Sequence, residues 1–269
     1  MYYKLLLITL SLLLTGCPLS KDKDSQKGSS KKDSTSSSEV GEGRDVYFVG
    51  IDVSGSFTRR AYYEDSIKFL SHYIYGHVNG IGGMAKLHSL FVSEIGGLKA
   101  DERKTFFPIE TFSHISISAI NSKLHNLFPK NRNNPYTDFN AFFRQIVLTV
   151  QNKKLSMRPI TVVLITDGVP DFPKVNGKND FRRIEFGPLE NLARDVTVRV
   201  LYTTADVGID WQTSIPRKKV KVWTQDAKVM RNWNASNVYF KKKPFEKQTR
   251  FFDWVKNNVD FKVAKKRVN

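Results

Sequence analysis

The sequence predicts an α/β fold: a doubly wound, mostly parallel central sheet flanked by helices. Four short runs, 46–51, 87–92, 160–165 and 197–202, are mostly apolar or β-branched, as strands covered on both faces tend to be. Segments of helical periodicity separate them, and strands alternating with helices wind into a parallel sheet. Polar residues crowd just after the first and third runs, where such sheets bind ligands.

The elements follow in order. The run 46–51 leads into Asp52-Val53-Ser54-Gly55-Ser56. Tyr63, Ile67, Leu70 and Ile74 mark one face of a helix that Gly76 is expected to end. The run 87–92 is the second strand. The stretch 106–117 admits two readings, a strand at the sheet edge or part of a long loop. A polar loop, Asn133-Asn134-Pro135-Tyr136-Thr137-Asp138, then leads into a helix striped by Phe139, Phe142, Phe143, Ile146, Val147 and Val150. The run 160–165 ends in Thr166-Asp167-Gly168, and 197–202 supplies the next strand. Val220 and Val222 alternate with Lys219 and Lys221, which predicts a half-exposed strand near an edge. Phe251, Phe252, Val255 and Val259 line a helix near the C-terminus. The phenylalanine stripes are read as core, and residues 45–269 suit one domain with a sizeable interior.

Ahead of that domain the chain changes character twice. Lys4 followed by the apolar run 5–14 reads as a secretory signal, because a bilayer-spanning helix needs about 20 apolar residues. The run closes on Leu14-Thr15-Gly16-Cys17, which resembles the bacterial lipobox. That resemblance implies cleavage after residue 16 and a diacylglyceryl thioether on Cys17, the chain's one cysteine. No disulfide can form within a monomer. Residues 18–44 are rich in Ser, Lys, Asp and Gly and hold no aromatic side chain, a composition that cannot bury enough apolar surface to order itself. They are read as a tether. The expected organisation is therefore a signal peptide at 1–16, a lipidated cysteine and tether at 17–44, and a domain at 45–269.

Charge is uneven. The whole chain carries a formal +17. Positions 213–269 hold 16 basic and 4 acidic residues, with dense runs at Arg217-Lys218-Lys219, Lys241-Lys242-Lys243 and Lys265-Lys266-Arg267. Such a region attracts anionic surfaces, lipid headgroups among them; a lysine-rich composition with solvated charges is the plainer reading. Nucleic acid is the least favoured partner, because no binding motif accompanies the charge.

The chemistry concentrates after the first and third strands. One carboxylate and two hydroxyls arrive together in Asp52, Ser54 and Ser56, and oxygen-only donors select hard cations. Asp52-x-Ser54-x-Ser56, then Thr137, then Asp167-Gly168 resemble the metal-ion-dependent adhesion site of a von Willebrand factor type A domain. The resemblance spans roughly 45–260 and rests on these short segments and the order of elements. It implies that Asp52, Ser54, Ser56, Thr137 and Asp167 hold Mg2+, with Mn2+ or Ca2+ as substitutes. It further implies that an Asp or Glu of a protein ligand completes the coordination, coupled to the helix after Thr137. Two aspartates about 5 Å apart repel by about 3 kcal/mol at an effective dielectric near 20, so the site without metal is expected to be strained. Asp138 is read as a helix cap. Asp171, Arg182 and Arg183, on the long segment 169–188, are the candidate ligand rim, with 130–134 as the facing wall.

Enzymatic readings fit poorly. The dinucleotide fingerprint, the P-loop, the paired-histidine zinc motif and the nucleophile elbow are all missing. A haloacid-dehalogenase-type phosphatase would place Asp-x-Asp where this chain has Asp52-x-Ser54, and serine cannot act as its general acid. The expectation is a non-enzymatic, lipid-anchored protein of the bacterial envelope that binds a protein partner in adhesion or complex assembly. The alternative is a docking subunit whose metal is purely structural.

Overall fold

The computed structural model describes residues 43–130, 134–193 and 195–261. These lie in one compact unit, Gly41–Asn269. The expected signal peptide at 1–16, Cys17, nearly all of the expected tether and the Lys265-Lys266-Arg267 run fall outside the described residues.

The strands are β1 (Val46–Asp52), β2 (Ser89–Ile95), β3 (Phe107–Pro108), β4 (Ile160–Ile165), β5 (Val196–Thr203) and β6 (Lys221–Asp226). The helices are α1 (Gly55–Thr58), α2 (Tyr63–Asn79), α3 (Ile117–Leu127), α4 (Phe139–Asn152), α5 (Gly187–Glu190), α6 (Ala205–Thr213), α7 (Ala227–Met230) and α8 (Thr249–Asn258). The sheet runs β3-β2-β1-β4-β5-β6, with β3 antiparallel and every other pairing parallel. This is the expected doubly wound α/β architecture. Its strand order reverses between β1 and β4, which opens a crevice beyond their carboxyl ends.

Alternation along β1 explains why both faces are covered. Tyr47, Val49 and Ile51 join a core with α2, α3 and α8, while Val46 and Phe48 join one with α4, α5 and α6. The phenylalanines of α4 and α8 are core, as expected: Phe139, Phe142, Phe143, Phe251 and Phe252 are all buried. Gly50 allows α4 this close, since a Cβ there would lie 2.8 Å from the Phe142 ring.

Several boundaries differ from expectation. Gly76 does not end α2; it sits buried against Met84, and the helix runs on to Gly80, whose φ of 63° closes it. A glycine inside a packed helix serves close approach, and sequence cannot tell it from a cap. The stretch 106–117 holds both readings and more: the two-residue β3, a 3-10 turn at Ile109–Thr111, and the start of α3. The helix after Thr137 begins at Phe139, with Asp138 as its cap and Ala141 N donating to the Asp138 carboxylate at 2.8 Å.

Candidate metal centre

Asp52 is the last residue of β1 and fully buried. Its Oδ1 accepts from Ser54 N at 2.8 Å and its Oδ2 from the Thr166 hydroxyl at 2.6 Å. Thr166 Oγ1 in turn accepts from Gly168 N at 2.9 Å, so one hydroxyl ties the end of β1 to the turn after β4. Ser54 Oγ lies 3.0 Å from Ser56 Oγ; Ser54 is buried and Ser56 exposed.

Asp167 is 1% exposed. Val169 N donates to its Oδ1 at 3.1 Å, while Oδ2 is buried with no hydrogen-bond partner among the described residues. The Arg60 guanidinium approaches that oxygen to 3.5 Å, an ion-pair contact rather than a hydrogen bond. Leaving a buried carboxylate oxygen unbonded is costly unless something cationic faces it.

Two glycines let the loops close in. Gly96, at φ 84°, lies where a Cβ would come within 1.8 Å of Tyr136 O, so only glycine admits the segment carrying Thr137 against the end of β2. A bridge between Ser54 and Asn134 brings the same loop against the first one. Gly168 turns at φ 77°, and its carbonyl accepts from Trp211 Nε1 at 2.7 Å. Trp211 is fully buried on α6 and pins the turn that carries Asp167.

Electrostatics follow from this burial. The Asp52 pKa is pushed up to about 6, first by desolvation and then by the neighbouring Asp167 carboxylate, against the pull of the Thr166 and Ser54 hydrogen bonds. Asp52 therefore gives up its proton less readily than an ordinary carboxyl group does. The donors are oxygens only, and one carboxylate oxygen is unsatisfied. That chemistry suits a hard divalent cation, and Asp52, Ser54, Ser56, Thr137 and Asp167 are the residues that would hold it. Among the described residues no cluster of three or more His, Cys, Asp or Glu occurs, and this site, with two carboxylates among hydroxyls, is not of that kind.

The rim divides. Asp171 N donates to Thr137 O at 3.4 Å, which places Asp171 beside the threonine loop. Arg182 turns to Asp180, Nε to Oδ1 at 2.8 Å, and Arg183 lies over the Phe172 ring at 4.9 Å. Among the described residues neither makes a hydrogen bond or ion pair with the five donors. The guanidiniums nearest the centre belong instead to Arg59 and Arg60, just past the end of α1, which the sequence pattern did not single out. Arg59 lies against Gly55, where a Cβ would come within 2.8 Å of its Nη1. The available signal was their place directly behind the D-x-S-x-S loop, one turn of chain after Ser56. Thr166, adjacent to Asp167, and Trp211 are further supports that the motifs alone do not reveal.

No protein-family model and no curated protein matches the sequence. Among solved structures, a proximal thread matrix protein from the mussel byssus is similar at 12% identity and a TM-score of 0.46, over 71% of this chain and 46% of that one. The pilus adhesin SpaC of Lactobacillus rhamnosus GG, in its open conformation, is similar at 13% identity and 0.45, over 81% and 30%. The human COPII-coat protein Sec24c is similar at 9% and 0.40, over 71% and 32%. The chain thus spans less than half the length of each. Similarity at this level assigns it neither a family nor an activity.

Proposed function

We propose that the domain binds a protein partner by way of a divalent cation held by Asp52, Ser54, Ser56, Thr137 and Asp167, as the resemblance to the type A adhesion site implies. The single observation that carries this is the buried, unbonded Asp167 Oδ2 beside a second buried carboxylate. When bound, a Mg2+ ion supplies positive charge and open coordination positions that accept an oxygen ligand. The protein's own groups do the rest. Thr166 and Ser54 N hold the Asp52 carboxylate in one orientation, and Trp211 holds the turn that aims Asp167. Arg59 and Arg60 line the approach with positive charge, which favours an acidic side chain on the partner. The reading is of a binding protein rather than an enzyme, lipidated at Cys17 and held at the bacterial envelope.

The test uses defined probes. Calorimetry with Mg2+ alone is expected to give one site, absent in Asp167→Asn. A short peptide carrying a single Glu is expected to bind the Mg2+-loaded protein and to lose binding when Glu becomes Gln. Peptide binding that persists in chelator assigns any ion a structural role and favours the docking alternative. Phosphatase turnover abolished by Asp52→Asn reverses the non-enzymatic reading.

A further inference from the structure

At the opposite end of β1 the surface is basic and open. The strand's seven residues set its two ends about 20 Å apart. There, Arg44, Lys154, Met157, Arg158 and Pro159 line an open cavity of about 350 Å3. Val46 N donates to Pro159 O at 3.0 Å and Arg158 N to Leu155 O at 3.1 Å, so the walls are fixed by backbone. Among the described residues, no acid forms an ion pair with Arg44, Lys154 or Arg158. Asp195, on the next strand's approach, is taken by Lys221 at 2.7 Å, and Asp45 offsets one of the three charges at most. Met157 is 94% exposed among these cations.

We propose that this notch seats the headgroups of an anionic lipid bilayer, with Met157 entering the interface. The pairing of cations with a projecting apolar side chain is what an interfacial contact uses. A soluble anion has no use for the methionine. The chain's position agrees: Arg44, one wall of the notch, is where the segment carrying the 5–14 apolar run and Cys17 joins the domain. The domain then lies with its strand N-termini on the membrane and the Asp52–Asp167 centre facing away. The proposal shares only membrane attachment with the reading above and stands without the metal.

Methionine oxidation by dilute peroxide, followed by mass spectrometry on the full chain, tests it. Met84 and Met230 are buried and report whether each variant remains folded. On phosphatidylglycerol vesicles Met157 is expected to oxidise at least about fivefold more slowly than on phosphatidylcholine, the scale of one cation at an anionic surface. The variant Arg44→Gln/Lys154→Gln/Arg158→Gln is expected to lose that difference. Lys265→Gln/Lys266→Gln/Arg267→Gln is expected to keep it, and inorganic phosphate without vesicles to give no protection. Equal oxidation on both vesicle types overturns the proposal. So does protection that survives in the notch variant, that vanishes in the tail variant, or that phosphate alone confers.

Discussion

Two acid clusters near opposite ends of β1, one half-buried and one fully buried, are built on opposite principles. Asp260 is bonded to two side chains that pack on Tyr47, and its every need is met: Tyr73 donates to Oδ1 at 2.6 Å and His77 Nε2 lies 3.0 Å from Oδ2. Burial would raise its pKa, but the His77 and Arg199 charges and the Tyr73 hydroxyl outweigh it and hold the carboxyl below the ordinary range. At the other end the Asp52 pKa is raised to about 6 and Asp167 keeps an unbonded oxygen. A carboxylate compensated by its own chain is structural; a pair compensated only in part, by the half-exposed Arg60 at 3.5 Å from Asp167 Oδ2, keeps strain that an external cation can relieve.

The contrast breaks first at the compensated end. Asp260→Ala leaves His77 Nε2 and the Tyr73 hydroxyl without their acceptor and is expected to cost about 3 kcal/mol, the low end for breaking a buried pair because Asp260 is 17% exposed. Denaturant unfolding should report the same loss with Mg2+ and with chelator, because the cluster lies away from Asp52 and Asp167.

Next in size is the pH profile. The folded state holds the Asp52 proton to higher pH than the unfolded chain does, so the chelated protein should lose stability as pH rises from about 4 to 6. A shift from 3.8 to about 6 corresponds to on the order of 3 kcal/mol. Asp260 acts with the opposite sign, adding stability above the unfolded carboxyl pKa that is lost as pH falls below about 3.8. Saturating Mg2+ should flatten the upper slope alone. Thermal unfolding across pH 3–8 separates the two limbs, and an upper slope that Mg2+ leaves unchanged would erase the distinction between the clusters.

Smaller effects sharpen it. Trp211→Phe removes the hydrogen bond to Gly168 O and should cost about 1 kcal/mol, with a severalfold weaker Mg2+ affinity by calorimetry as the Asp167 turn loosens. Arg60→Gln removes the cation that faces the buried Asp167 Oδ2 and should cost about 1 kcal/mol, held down because the guanidinium is 44% exposed. It should tighten Mg2+ binding by removing a competing cation while weakening the acidic peptide.

The sheet was legible in the sequence because buried parallel strands are continuous apolar runs, as in 46–51 and 160–165. The candidate donors were legible because Asp52, Ser54, Ser56 and Asp167 cluster just after those runs. What did not show was set by distant packing. Gly76 reads as a cap until Met84 is known to press on it. Helix α6 carries its importance in one residue, Trp211, whose partner is a backbone carbonyl 43 positions away. Arg182 and Arg183 read as the rim because the segment 169–188 is long, polar and basic there, yet Asp180 and Phe172 hold them locally, and Arg59 and Arg60 take the nearer place.

The central claim is that the Asp52–Asp167 pair is built to take a cation. Thermal unfolding at neutral pH during a Mg2+ titration tests it most directly. At a hundredfold excess over the dissociation constant the wild type is expected to gain about 2.7 kcal/mol of stability and Asp167→Asn none. No rise in the wild type, or an equal rise in both proteins, would contradict it.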